Sequence, residues 1–133
     1  MMDDKSIAEL LRTAKTIAVV GASNNRMRAS LGVSRFLQRQ GYRVIPVNPN
    51  ETEVLGERAY ASLKDIPEAI DIVNVFRRSS CVGEVVDQAL DKGTRCIWMQ
   101  EGVVNEDAAR KAEAGGISVV MDTCILKEIA RLL

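Results

Sequence analysis

The sequence predicts an α/β fold: a doubly wound parallel sheet of five strands with helices on both faces. Three observations predict it. Short apolar runs rich in β-branched residues recur about every 20 to 30 residues, the rhythm of strands alternating with crossovers. Between most of them, apolar residues fall at helical spacing. Polar or glycine-bearing turns follow the strands, as expected of one edge of a parallel sheet.

Composition sets the frame. The chain has 133 residues, 47% hydrophobic and 27% charged, which suits one globular domain over residues 1–133. Lys+Arg and Asp+Glu are 18 each, so net charge gives no reason to bind nucleic acid or an acidic membrane. The acidic start, Met1, Met2, Asp3, Asp4, lacks the apolar core of a signal peptide. A cytoplasmic protein is the expectation. The chain contains no histidine, which excludes imidazole metal sites and Ser-His or Cys-His nucleophiles. Its three cysteines, Cys81, Cys96 and Cys124, have no C-x-x-C spacing, and their odd number argues against a disulfide framework. No metal site and no catalytic residue is assigned.

Ser6 and Glu9 have the spacing of a capping box, and Ile7, Leu10, Leu11 and Ala14 form one apolar face, so a short helix opens the chain. Ile17, Ala18, Val19 and Val20 read as a strand buried on both faces. Gly21 ends it, where a tight turn favours a residue without Cβ. Ser23, Asn24 and Asn25 favour turns and N-caps. Ala29, Val33, Phe36 and Leu37 then mark a helix closed by Gly41. Residues 42–47 are the second strand, with Pro46 expected near its end or where a ladder donor is dispensable. Residues 51–68 form an irregular crossover with little helix beyond a turn from Ser62 to Ile66.

Residues 70–76 are the third strand. Val82, Val85, Val86, Ala89 and Leu90 mark the next helix, which Gly93 ends. Residues 95–99 are the fourth strand, and Asn105 caps a helix with Glu106 and Asp107 in its first turn. Residues 117–121 are the fifth strand. A short turn, Asp122, Thr123 and Cys124, leads into a last helix with Ile125, Ile129 and Leu132 on one face.

Right-handed crossovers bring the strand C-termini to one edge, where ligands of doubly wound sheets bind. The rim there comprises the turns at 21–26, 48–50, 76–79, 100–102 and 122–124. The first is a socket for an anion: backbone N–H groups and a helix N-terminus converge, with Arg26 and Arg28 in the same turn. A phosphate-bearing ligand follows, beside the plainer alternative that strand-Gly-helix units often bind no nucleotide at all. The dinucleotide fingerprint G-x-G-x-x-G is met only at Gly21, and Asn48 stands where an acidic residue usually reads the ribose.

Gly21, Ala22 and Ser23; residues 44–49; residues 71–77; Trp98, Met99, Gln100, Glu101, Gly102 and Val103; and Asp122, Thr123 and Cys124 carry a resemblance. Together they resemble the small single-domain CoA-binding protein family, itself similar to the N-terminal CoA-binding domain of the succinyl-CoA synthetase alpha subunit. The resemblance covers about residues 16–132 and implies a Rossmann-like fold with a coenzyme A (or acyl-CoA) site on this rim. By position, Ser23, Asn24, Asn25 and Arg26 would meet the phosphates, with Gly21 and Ala22 in the same cofactor-binding turn. Asn48 and Pro49 would border the adenosine, Phe76 and Arg77 would line the pocket, and Gln100, Glu101 and Gly102 would flank the pantetheine arm. Cys124, at a helix start, would lie near the CoA thiol or else be a structural cysteine. The family often has Arg after the aspartate of the last turn and a Glu-His pair in the last helix. Here Thr123 and Glu128-Ile129 stand there, so those residues cannot serve in the same way.

Cys81 and Cys96 read as core fillers, Trp98 as packing and Asp122 as a turn residue. The leading expectation is a nucleotide-binding module that binds CoA without activity of its own. Two alternatives stay open: the CoA-binding component of a multi-chain acyl-CoA synthetase working with a separate partner chain, and an NAD(P)-binding protein. A homodimer is compatible with the fold, but no stretch demands it.

Overall fold

The computed structural model describes residues 2–133. Its elements are α1 (Asp4–Thr13), β1 (Thr16–Val20), α2 (Ala29–Arg39), β2 (Arg43–Val47), β3 (Glu53–Val54), β4 (Glu57–Arg58), β5 (Ile72–Val75), α3 (Val82–Lys92), β6 (Cys96–Met99), α4 (Glu106–Ala114), β7 (Ser118–Val120) and α5 (Ile125–Leu132). Five strands make one parallel sheet in the order β2-β1-β5-β6-β7, the Rossmann-like arrangement.

Alternation along the strands builds two cores. Ile17, Val19, Ile72 and Trp98 face α1, α2 and α5, whereas Ala18, Val20, Val73 and Ile97 face α3 and α4. Every residue of β5 and β6 is buried, as a central strand covered on both faces requires. Trp98 is packing, with its indole N–H donating to the Thr123 carbonyl at 2.8 Å. Pro46 sits one residue from the end of edge strand β2 opposite Val19, and its carbonyl accepts from the Tyr60 N–H.

One local expectation is corrected and another is refined. The cap of α1 is Asp3, whose Oδ1 accepts from the Ser6 N–H at 2.8 Å, so the helix begins a turn earlier than a cap at Ser6 implies. The crossover after β2 contains a small antiparallel hairpin, β3–β4, followed by a 3-10 turn at Leu63–Asp65. Both loop residues of the hairpin have positive φ, Leu55 at 51° and Gly56 at 79°, which matches strand twist in a two-residue turn. Leucine rarely adopts that conformation, so the turn had no sequence signal. The Leu55 carbonyl accepts from Gln38 Nε2, which ties the hairpin to α2.

Candidate functional site

The chain leaves β1 through α2 toward β2 and then crosses back to β5 on the other side of β1. The order therefore reverses between β1 and β5, and the loops after these two strands part to leave a crevice. A cleft of about 560 Å³ lies there, within the range of small-molecule sites. Its walls come from the turn after β1 (Gly21, Ser23, Asn25, Arg28), the turn after β2 (Asn48, Pro49, Asn50, Glu51) and the start of the β5–α3 connection (Phe76, Arg77, Arg78, Cys81).

Gly21 sets how closely the first and third walls approach. Its φ is +92°, and a Cβ built there would lie 2.5 Å from the Phe76 carbonyl oxygen. Only glycine allows the two chain segments to meet so closely. Asn48 joins the first wall to the second. Its Nδ2 donates to the Ala22 carbonyl at 2.8 Å, while its Oδ1 accepts from the Asn50 N–H at 2.9 Å. A carboxylate at this position would have no donor for Ala22.

Within the first turn, the Asn25 N–H donates to Ser23 Oγ and the Met27 N–H to Asn25 Oδ1. The Asn24 N–H donates to Glu51 Oε2 at 2.6 Å, and Asn24 Nδ2 donates to the Glu53 carbonyl at 2.7 Å. Helix α2 starts only at Ala29, and its N-cap, Arg28, makes no side-chain capping bond. The amides of Ser23, Ala29 and Ser30 find no acceptor among the described residues. Of these three residues Ser23 lines the cleft, and its free amide, with Arg28, Arg77 and Arg78 around the cleft, makes it receptive to an anion.

The sequence-derived site residues divide into two groups. Gly21, Ser23, Asn25, Asn48, Pro49, Phe76 and Arg77 line the cleft. Ala22 is buried behind it, Asn24 faces the hairpin, and Arg26 is exposed without lining it. Gln100, Glu101, Gly102 and Cys124 stand farther along the same edge, outside the cleft. Gln100 is buried and its Oε1 accepts from the Ile125 N–H at 3.0 Å, capping α5. Glu101 pairs with Lys127 at 3.1 Å, and the Gly102 N–H donates to Asp122 Oδ1 at 2.7 Å. Asp122 is a turn residue with φ of 54°. Cys124 is buried against the core under α1, α2 and α5.

Cys96 is a core residue, and burial pushes its thiol up to about 12. Cys81 is not one. It is only partly buried, lines the cleft and accepts a hydrogen bond from Arg77 Nη2 at 3.6 Å. Sequence reasoning also left Arg78 and Glu51 unassigned. Their place at the ends of β5 and β2 was the available signal, but both strands continue into loops whose direction no local pattern gives. Among the described residues no group of three or more His, Cys, Asp or Glu side chains is placed to hold a metal ion. No described helix is long and apolar enough to cross a membrane.

Residues 15–130 match the model of the CoA-binding domain. The chain belongs to the CoA-binding domain family. An uncharacterized Bacillus subtilis protein, YneT, is 46% identical over 119 residues, which is 90% of this chain and 88% of that protein. The alpha subunit of the ADP-forming acetate–CoA ligase II of Pyrococcus furiosus is 36% identical over 82 residues, or 61% of this chain and 18% of that subunit. This CoA-binding domain is thus related to a small part of a much longer ligase chain. A hypothetical protein from Pyrococcus horikoshii has a solved structure that superposes with a TM-score of 0.96 at 39% identity, covering 98% of this chain and 92% of that one.

Proposed function

We propose that this protein binds coenzyme A, or an acyl-CoA, in the cleft between β1 and β5, and has no catalytic activity of its own. The observation that carries the reading is a coincidence in space. The CoA-binding domain match spans the segments that build the cleft, and that cleft offers the free Ser23 amide and three arginines. CoA is a polyanion attached to an uncharged arm. Arg28 and the α2 N-terminus suit its phosphates, because a guanidinium supplies several donors and a full charge. Arg77 and Arg78 approach from the opposite wall. Phe76 and Pro49 offer apolar surface to the adenosine or the arm. Gln100, Glu101 and Gly102 lie where a ligand leaving the cleft along the sheet edge would pass. The protein is a cytoplasmic single domain in this reading.

Calorimetric titration with CoA, acetyl-CoA and NAD tests it. CoA binding is expected, with Arg28→Ala weakening it about tenfold or more, the scale of a lost charge-assisted contact of about 1.5 to 3 kcal/mol. Arg26→Ala, outside the cleft, is expected to change it far less. Binding of NAD in preference to CoA would overturn the reading. The relationship to the ligase alpha subunit favours a second reading, in which the bound CoA is presented to a separate synthetase-type chain. Pull-down by the CoA-loaded protein of a chain with ligase activity would favour it.

A further inference from the structure

Among the residues lining the cleft, Glu51 is the only acidic one, set against Arg28, Arg77 and Arg78. Its carboxylate is committed: Oε2 accepts from the Asn24 N–H at 2.6 Å. That amide belongs to the turn after β1, which supplies Gly21, Ser23, Asn25 and Arg28 to the cleft wall. The neighbouring Ser23, which lines the cleft, keeps an amide with no acceptor among the described residues. A carboxylate thus holds one amide of the turn while the adjacent Ser23 amide stays open.

We propose that Glu51 is an internal anion of the cleft, a specificity-setting residue that competes with ligand phosphate for the turn after β1. The inference rests on the reading of the cleft as a site for the phosphates of CoA. Two consequences follow from elementary electrostatics. A phosphate seated in the cleft against this turn must displace the Glu51 carboxylate or bear its repulsion, so affinity for phosphorylated ligands is held down. An uncharged ligand in the same cleft meets no such opposition. The cleft therefore discriminates by ligand charge, with Glu51 opposing what the three arginines favour.

The geometry also provides a clean variant. Asn24 is held a second time, by its Nδ2 bond to the Glu53 carbonyl, so removing the Glu51 carboxylate leaves the turn tethered. Glu51→Gln removes the charge and keeps an acceptor for the amide; Glu51→Ala frees the amide as well.

The test titrates wild type and both variants with CoA, ADP, inorganic pyrophosphate and adenosine at low and high salt, with urea unfolding as the control for folding. Glu51→Gln is expected to bind CoA, ADP and pyrophosphate roughly three- to thirtyfold more tightly, and Glu51→Ala at least as tightly. The gain should shrink in high salt, since screening weakens the repulsion that was removed. It should be absent with adenosine. Unchanged or weaker binding of the phosphorylated ligands by both folded variants would overturn the proposal. So would an equal gain with adenosine, which would mean that Glu51 only obstructs the cleft sterically. If wild type and variants bind pyrophosphate with the expected difference but none binds CoA, the CoA reading fails and the role of Glu51 stands. If CoA binds wild type and variants alike, the CoA reading stands and the role of Glu51 fails. Failure of every phosphorylated ligand to bind any of the three proteins overturns both.

Discussion

At the scale of single residues, three positions carry the strongest consequences. Gly21 combines a left-handed backbone with an approach to the Phe76 carbonyl that no side chain survives. Gly21→Ala is expected to cost about 2 to 4 kcal/mol through strain and a backbone shift. Urea unfolding checks it, and a loss under 1 kcal/mol would show that the two loops separate easily. Cys81 and Cys96 contrast in access and chemistry. Cys96 is fully buried with its thiol pushed up to about 12, whereas Cys81 is partly exposed in the cleft. A thiol-specific reagent should modify Cys81 first in the folded protein and leave Cys96 untouched until unfolding. Mass spectrometry of the digested product would read this directly, and early labelling of Cys96 would contradict its burial in the core.

At the scale of elements, α2 joins the site to the sheet. Val33 and Leu37 bury in the same core as Ile17, and Ser30 and Ser34 share that inner face. Both serine hydroxyls are buried with no hydrogen-bond partner. A partnerless buried hydroxyl is costly, and alanine is the better helix former. Ser34→Ala is therefore expected to raise stability by about 0.5 to 1 kcal/mol, measured as a higher urea midpoint at unchanged slope. The same helix explains a limit of sequence reading. Asn24 and Asn25 are good cap residues, yet α2 begins four residues after Asn25, at Ala29. Asn24 is committed to the β3–β4 hairpin and Asn25 to the turn itself, and neither partnership leaves a trace at local spacing.

At the scale of the whole molecule, exposed carboxylates join distant parts of the chain. Asp4 of α1 pairs with Arg131 of α5, and Glu68 pairs with Arg43 of β2. Hydrogen bonding to these arginines holds Asp4 and Glu68 below their ordinary values of 3.8 and 4.5. The Ser6 amide does the same for the capping Asp3. A carboxyl group depressed by folding adds stability above its unfolded value, and that contribution is lost as pH falls through the folded value. Stability should accordingly be level near neutrality and decline from about pH 4.5 downward, with Arg131→Ala flattening part of the decline. Denaturation midpoints from pH 7 to pH 3 test this. High salt should reduce the effect of the variant, because these pairs lie in solvent.

The five parallel strands, the helices between them and the edge on which their C-termini meet were all legible in the sequence. Apolar periodicity and turn chemistry act over a few residues, so composition and spacing record them. Ser23, Asn48, Phe76 and Arg77 could be placed near one another for the same reason, since each follows directly on a strand end. Only the tertiary structure decided which rim residues share a cleft. It kept Arg28 while leaving Arg26 in solvent, brought in Arg78, Cys81 and Glu51, and set Gln100 and Cys124 against α5. Those assignments depend on how loops from separate strands bend toward or away from each other. Contacts distant in sequence decide that bending: Asn48 on Ala22, Glu51 on Asn24, and the Phe76 carbonyl against Gly21.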